Sequence, residues 1–210
     1  MHFSLAHAYL HLIAPAIMLL LAGFYFTIAF RAWRFKRPFL ISQRWMFGLI
    51  LVGFSPSFLN PFLLMRPASS APLPLTFLLW LNPLMMGALA VFLWFTMRGY
   101  LVFAVTENSF RDAFLSAVTR FGYTCEERLS SMRLLPIDVT IQVTVQGWMG
   151  TGFLRIKSGA NAPLLPGIAD EMNAYWKAHG GETNQVTSGV YAVLVWFLGA
   201  IAVVLGLLKF

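Results

Sequence analysis

Apolar and polar positions divide this 210-residue chain into long runs without charge and one stretch where the two kinds alternate. Four runs, at about 8–30, 45–65, 75–97 and 186–208, are long enough to cross a bilayer as helices. A hydrocarbon core about 30 Å thick takes ~20 apolar helical residues. Such runs must be helical, because lipid offers no partner to a free backbone N–H or C=O.

Between the third and fourth runs, over 98–185, the periods are those of a water-exposed domain. Tyr100 to Val105 is a short apolar run, read either as a buried strand or as the last turns of span three. Thr106 is an N-cap candidate, with Glu107 in the first turn of a helix. Phe110, Ala113, Phe114, Ala117, Val118 and Phe121 then mark one helical face, and Gly122 sits where a C′ glycine belongs. Tyr123 to Leu129 reads as a strand and Ser130 to Arg133 as a turn, with an uncertain strand near Leu134–Ile137. Thr140 to Gln146 alternates without a break, Gly147-Trp148-Met149-Gly150 is a hairpin connection, and Thr151 to Lys157 returns with Leu154 and Ile156 inward and Arg155 and Lys157 outward. After a loop from Ser158 to Pro166, a second helix carries Ile168, Met172, Tyr175, Trp176 and His179 on one stripe and ends at Gly180-Gly181. The order β-α-β-β-β-α implies an antiparallel sheet with two helices on one face. The fold class expected is an all-α membrane frame of four transmembrane helices with this small α+β domain inserted, the domains being 1–97, 98–185 and 186–210.

Composition supports that division. The chain is 59% hydrophobic and only 11% charged, where a soluble domain carries roughly a quarter charged residues. All eight acidic residues lie between Glu107 and Glu182, and outside that window there are Lys and Arg but no Asp or Glu. Short cytoplasmic loops are enriched in Lys and Arg. The 31–44 loop, with Arg31, Arg34, Lys36, Arg37 and Arg44, is therefore placed inside, and the 66–74 loop, with Arg66 alone, outside. The 98–185 domain is then cytoplasmic and both termini are outside, in an inner (cytoplasmic) membrane. The first run is an anchor and not a cleavable signal, because its positive charges follow the apolar stretch. Trp33, Trp45, Trp94 and Tyr100 fall at expected interfaces.

Candidate chemistry is sparse. His7 and His11, at i and i+4, share a helix face and are candidate ligands for haem or a (bacterio)chlorophyll in an electron-transfer or pigment subunit. Asn60-Pro61 and Asn82-Pro83 repeat one phrase in spans two and three. Proline removes a backbone hydrogen bond, and broken helices line substrate sites in transporters. Ser55, Ser57, Asn60 and Asn82 would line such a pocket in a small carrier or channel. No acid, Lys or Arg lies deep in a span, however, and ion-coupled carriers usually need one. The basic 31–44 loop is tethered at both ends and short, which favours contact with lipid headgroups over nucleic acid. Trp148 and Met149 at the hairpin tip are candidates for dipping into the interface or docking a partner. Cys125, alone and beside Glu126 and Glu127, is a poor nucleophile, and no phosphate loop, CxxC or HExxH is present.

The reading these residues favour is a non-enzymatic membrane accessory or scaffold subunit. Its helices and its α+β domain would dock other membrane subunits or a second copy. A transporter and a cofactor-bearing subunit are the alternatives.

Overall fold

The structure, a computed structural model, describes residues 13–64, 73–128, 131–135, 137–158 and 164–207; side chains at 55–80, 82, 128 and 158 fall outside the description. Among the described residues there are six helices and six strands. In chain order these are α1 Ala14–Phe35, β1 Phe39–Ser42, α2 Gln43–Leu64, α3 Leu73–Thr96, β2 Gly99–Phe103 and α4 Glu107–Arg120, then β3 Thr124–Arg128, β4 Ser131–Leu135, β5 Val139–Gln146, β6 Thr151–Ser158, α5 Leu164–His179 and α6 Val186–Leu207. Two of them, α1 and α6, are long and apolar enough to cross a membrane. The chain forms two compact units. One comprises 1–22, 44–97 and 196–210, the other 23–43 and 98–195.

In the first unit, Phe47 of α2 is buried and meets Trp94 of α3 edge-on at 5.5 Å between ring centroids. The Arg44 guanidinium lies 5.9 Å from the same Trp94 ring, a cation–π distance.

The second unit is built on one antiparallel sheet in the order β1-β2-β6-β5-β4-β3. Alternate side chains point to opposite faces. The registers Leu40↔Val102, Val143↔Leu154, Ile141↔Ile156 and Leu134↔Val139 therefore put one apolar set on a single face. That face is covered by α4, through Phe110, Phe114 and Val118, and by α5, through Ile168, Met172 and Trp176. Thr106 caps α4 by accepting a hydrogen bond from the Ser109 N–H, and Gly122 closes it with φ +76°, a backbone region open to glycine at little cost. Trp176 is fully buried, and its indole N–H donates to the Ser109 carbonyl at 3.2 Å.

One open reading is resolved and several expectations change. Tyr100–Val105 resolves as strand, over Gly99–Phe103. Ser131-Met132-Arg133, expected as a turn, is strand, because Met132 and Leu134 alternate inward opposite Ile141 and Val139. Arg133 donates to Asp138 at 2.6 Å across the β4–β5 connection, where Asp138 holds a positive φ of 52° that Asp tolerates better than most residues. The basic stretch read as a loop contains β1, which pairs with β2 from Phe39↔Phe103 to Ser42↔Tyr100. The order is therefore β-α-β-β-β-β-α for 98–185, with an edge strand added from between α1 and α2. The outward N–H of Leu40 on that edge is taken by Asn173 Oδ1 of α5 at 3.0 Å, which protects it from pairing with another chain. Phe121 and His179 were expected on inward stripes and are exposed. Phe121 is the C-cap of α4, and its ring lies against Gly167 of α5.

Trp176→Ala empties a fully buried site and frees the Ser109 carbonyl. It is expected to cost about 3–5 kcal/mol, read as a lower unfolding midpoint by circular dichroism of the detergent-solubilised chain.

Candidate functional site

The other face of the sheet is divided. At β1 and β2 it is apolar: Phe39, Ile41, Leu101 and Phe103 pack with Phe24, Tyr25, Ile28 and Ala32 of α1 and with Tyr191 of α6. Phe39 stacks on Phe103 at 5.5 Å, Phe103 meets Tyr191 edge-on at 5.5 Å, and Tyr191 stacks on Tyr25 at 5.7 Å. These aromatic geometries each contribute about 0.5–1.5 kcal/mol beyond area burial.

Over β6, β5 and β4 the same face is polar and carries Phe153, Arg155, Gln142 and Arg133. Arg155 Nε donates to Gln142 Oε1 at 3.0 Å, and its guanidinium lies 5.6 Å from the Phe153 ring centroid. Lys157 falls at a register shift opposite Thr140–Ile141 and is exposed. The hydrogen bond to Asp138, reinforced by that carboxylate's charge, raises the pKa of Arg133 and holds it protonated. On this face Arg133, Arg155 and Lys157 stand against two carboxylates, Glu126 at the β3 edge opposite Arg133 and Asp138 paired with Arg133.

The hairpin between β5 and β6 is tied to the start of α6. Gly150 N–H and Met149 N–H both donate to the Gln146 carbonyl, at 2.9 and 3.1 Å. Asn184 Nδ2 donates to the Gly147 carbonyl. The hydroxyl of Thr187, which is fully buried, donates to the Met149 carbonyl at 2.7 Å and to that of Gly150 at 3.3 Å. Val105 N–H donates to the Gly150 carbonyl at 3.0 Å, and Asn184 N–H to that of Ala104 at 3.2 Å. Gly150 has φ +63°, and a Cβ there would collide with Thr187 Oγ1 and with Asn184 Cβ. Between these pinned carbonyls Trp148 is 73% exposed, while Met149 is half-buried.

The other sequence candidates fall as follows. His7 and His11 lie outside the described residues. Ser55, Ser57, Asn60 and Asn82 lie on α2 and α3 with side chains outside the description. The helical backbone of both elements runs through Asn60-Pro61 and Asn82-Pro83. Arg31 and Arg34 lie in the last turns of α1. Arg31 stacks over Phe39 at 4.7 Å and Arg37 over Phe35 at 5.3 Å, and Lys36 adopts φ 45° just beyond the helix. Cys125 is half-buried. Burial pushes its thiol pKa up, and Glu127 and Glu126 push it further, so the thiolate is scarce at neutral pH. Among the described residues no three His, Cys, Asp or Glu side chains gather into a metal site.

Sequence reasoning missed Asn173, Asn184 and Thr187, whose partners lie far along the chain. The only local hint was the Thr-Asn-Gln run at 183–185 directly before a charge-free segment.

Comparison with protein-family models, with curated proteins and with solved structures finds no match to this chain.

Gly150→Ala forces a left-handed backbone on a β-carbon and drives it into Thr187 and Asn184. It is expected to destabilise the domain by at least about 2 kcal/mol, with a lowered thermal midpoint that Gly180→Ala, at an open position, shows to a smaller extent.

Proposed function

We propose that this chain is a non-enzymatic subunit of a larger membrane assembly, anchored by four spans and presenting its α+β domain to the cytoplasm. What carries the reading is the apolar surface left open on α6 beyond its seat against the sheet. Trp196 is 81% exposed, Val193 69% and Phe197 62%. Contiguous apolar surface on this scale marks contact with membrane or with another protein. In the bilayer such a face meets lipid or a neighbouring helix. Gly189, Gly199 and Gly206 on the same helix leave room for close helix–helix approach.

In this reading the domain supplies a second docking surface. Arg155 and Lys157 on the outer face of β6 suit an acidic segment of a partner, where charge complementarity steers encounter and selects against basic surfaces.

The orientation has its own test. Protease added to sealed, right-side-out vesicles is expected to leave 107–182 intact and to cut there once the vesicles are inverted. Ready cutting from the outside reverses the topology. For the assembly, native mass spectrometry after mild extraction from the chain's own membrane is expected to show a particle heavier than one copy, of fixed composition between preparations. A strictly monomeric particle overturns the proposal.

A further inference from the structure

The hairpin tip is pinned to a helix whose position along the membrane normal is tightly constrained. Its placement therefore deepens the membrane reading above, on which it rests. Val186–Leu207 contains no charged residue, whereas Glu182 and Gln185 lie just before it and Lys209 just after. Its 22 residues rise about 33 Å, and the hydrocarbon they must cross is about 30 Å thick. Almost no slack remains, so Val186 and Thr187 fall at the boundary. Thr187 Oγ bonds the Met149 carbonyl at 2.7 Å and Asn184 bonds the Gly147 carbonyl. The carbonyls on both sides of Trp148 are thus fixed at the level of the helix's first turn.

The other candidate span gives the same level independently. Tyr25 of α1 stacks on Tyr191 of α6. Tyr191 lies five residues beyond Val186, which is about 7.5 Å into the span. In α1, crossing in the opposite sense, six residues separate Tyr25 from Arg31, about 9 Å at the same rise. Arg31 is the first charge after the described apolar run, so the headgroup boundary falls at Arg31 and at Val186 together. Trp33, 64% exposed, is one half-turn beyond it.

From this we infer that the β5–β6 hairpin is a membrane-seated anchor: Trp148 occupies the headgroup–acyl boundary of the bilayer that α6 crosses. The chemistry fits. Tryptophan concentrates at membrane interfaces, where an apolar ring and an N–H are satisfied together. Depth is limited, because the Glu107 carboxylate lies 3.6 Å from where a Gly147 Cβ would be, and that charge stays in water. The occupant is lipid; a protein partner is the competing outcome.

The test uses the full chain in liposomes of zwitterionic and anionic phospholipid, with Cys125→Ser removing the native thiol. An environment-sensitive fluorophore is attached singly at Trp148→Cys, Phe197→Cys or Asp112→Cys, and nitroxide lipids quench it from near the headgroup or from deep in the acyl chain. At Trp148→Cys the emission shifts blue and is quenched about twofold by the shallow nitroxide and less by the deep one, as interfacial placement requires. At Phe197→Cys the deep nitroxide dominates, and at Asp112→Cys neither acts. If Trp148→Cys matches Asp112→Cys while Phe197→Cys is quenched, the hairpin inference alone is overturned. If Phe197→Cys also reads water, the membrane reading falls with it. A blue shift at Trp148→Cys in native membranes but not in liposomes assigns the tip to a protein and overturns the lipid assignment.

Discussion

An aromatic seam on the back of the sheet fixes what this domain can be. Phe39 and Phe103 belong to the two strands at one edge, and on their outer face they meet Ile28, Ala32 and Tyr191 rather than water. A half-covered antiparallel sheet normally keeps one face polar. Here only the strands from β6 onward do so, with Arg155, Gln142 and Arg133 outward, while β1 and β2 are apolar on both faces. Removing the ends of α1 and α6 would leave that second apolar face bare. The helices are consequently part of the domain's fold and not accessories hung from it. The chain shows the same economy: three residues, Lys36 to Pro38, separate α1 from β1, and α2 begins directly after Ser42.

Legibility in the sequence followed the length of the repeat. The α4 stripe, its Thr106 cap and Gly122, the alternation of β5 and β6, and the charge-free run of α6 each repeat a period several times, and each is found within a residue or two of its expected place. β1 has four residues, too few to establish a period, and the Arg and Lys around it spoke for a loop. β4 was hidden because Ser130-Ser131 carries turn chemistry, and Met132 and Leu134 were too few to outweigh it. Asn173, Asn184 and Thr187 act through hydrogen bonds to Leu40, Gly147 and Met149. No periodicity announces a bond between residues so far apart. Of the candidate site, the exposure of Trp148 and the outward Arg155 and Lys157 were legible, and what holds the hairpin in place was not.

Polar interactions set position here more than stability. The ion pairs Arg111–Glu127, Arg120–Glu171 and Arg133–Asp138 lie at the surface, each with at least one well-exposed partner, and such pairs contribute about 0–1 kcal/mol each. Thr187 is different, being fully buried with its hydroxyl between two hairpin carbonyls. Each buried bond of this kind contributes only about 1 kcal/mol, yet leaving one of its groups unpaired costs about 1–3 kcal/mol. Lifting the hairpin from this seat would leave the Thr187 hydroxyl and the hairpin carbonyls without these partners.

That seat explains why position 150 is glycine. The β5–β6 turn needs a positive φ there, and Thr187 and Asn184 occupy the space where a β-carbon would lie. A bulkier residue would lift the turn from the helix and release Trp148 from its level. The sheet, the start of α6 and an exposed tryptophan are thus held in register by a missing side chain, so the tip's height above the helix is set by backbone geometry and not by any flexibility of the loop.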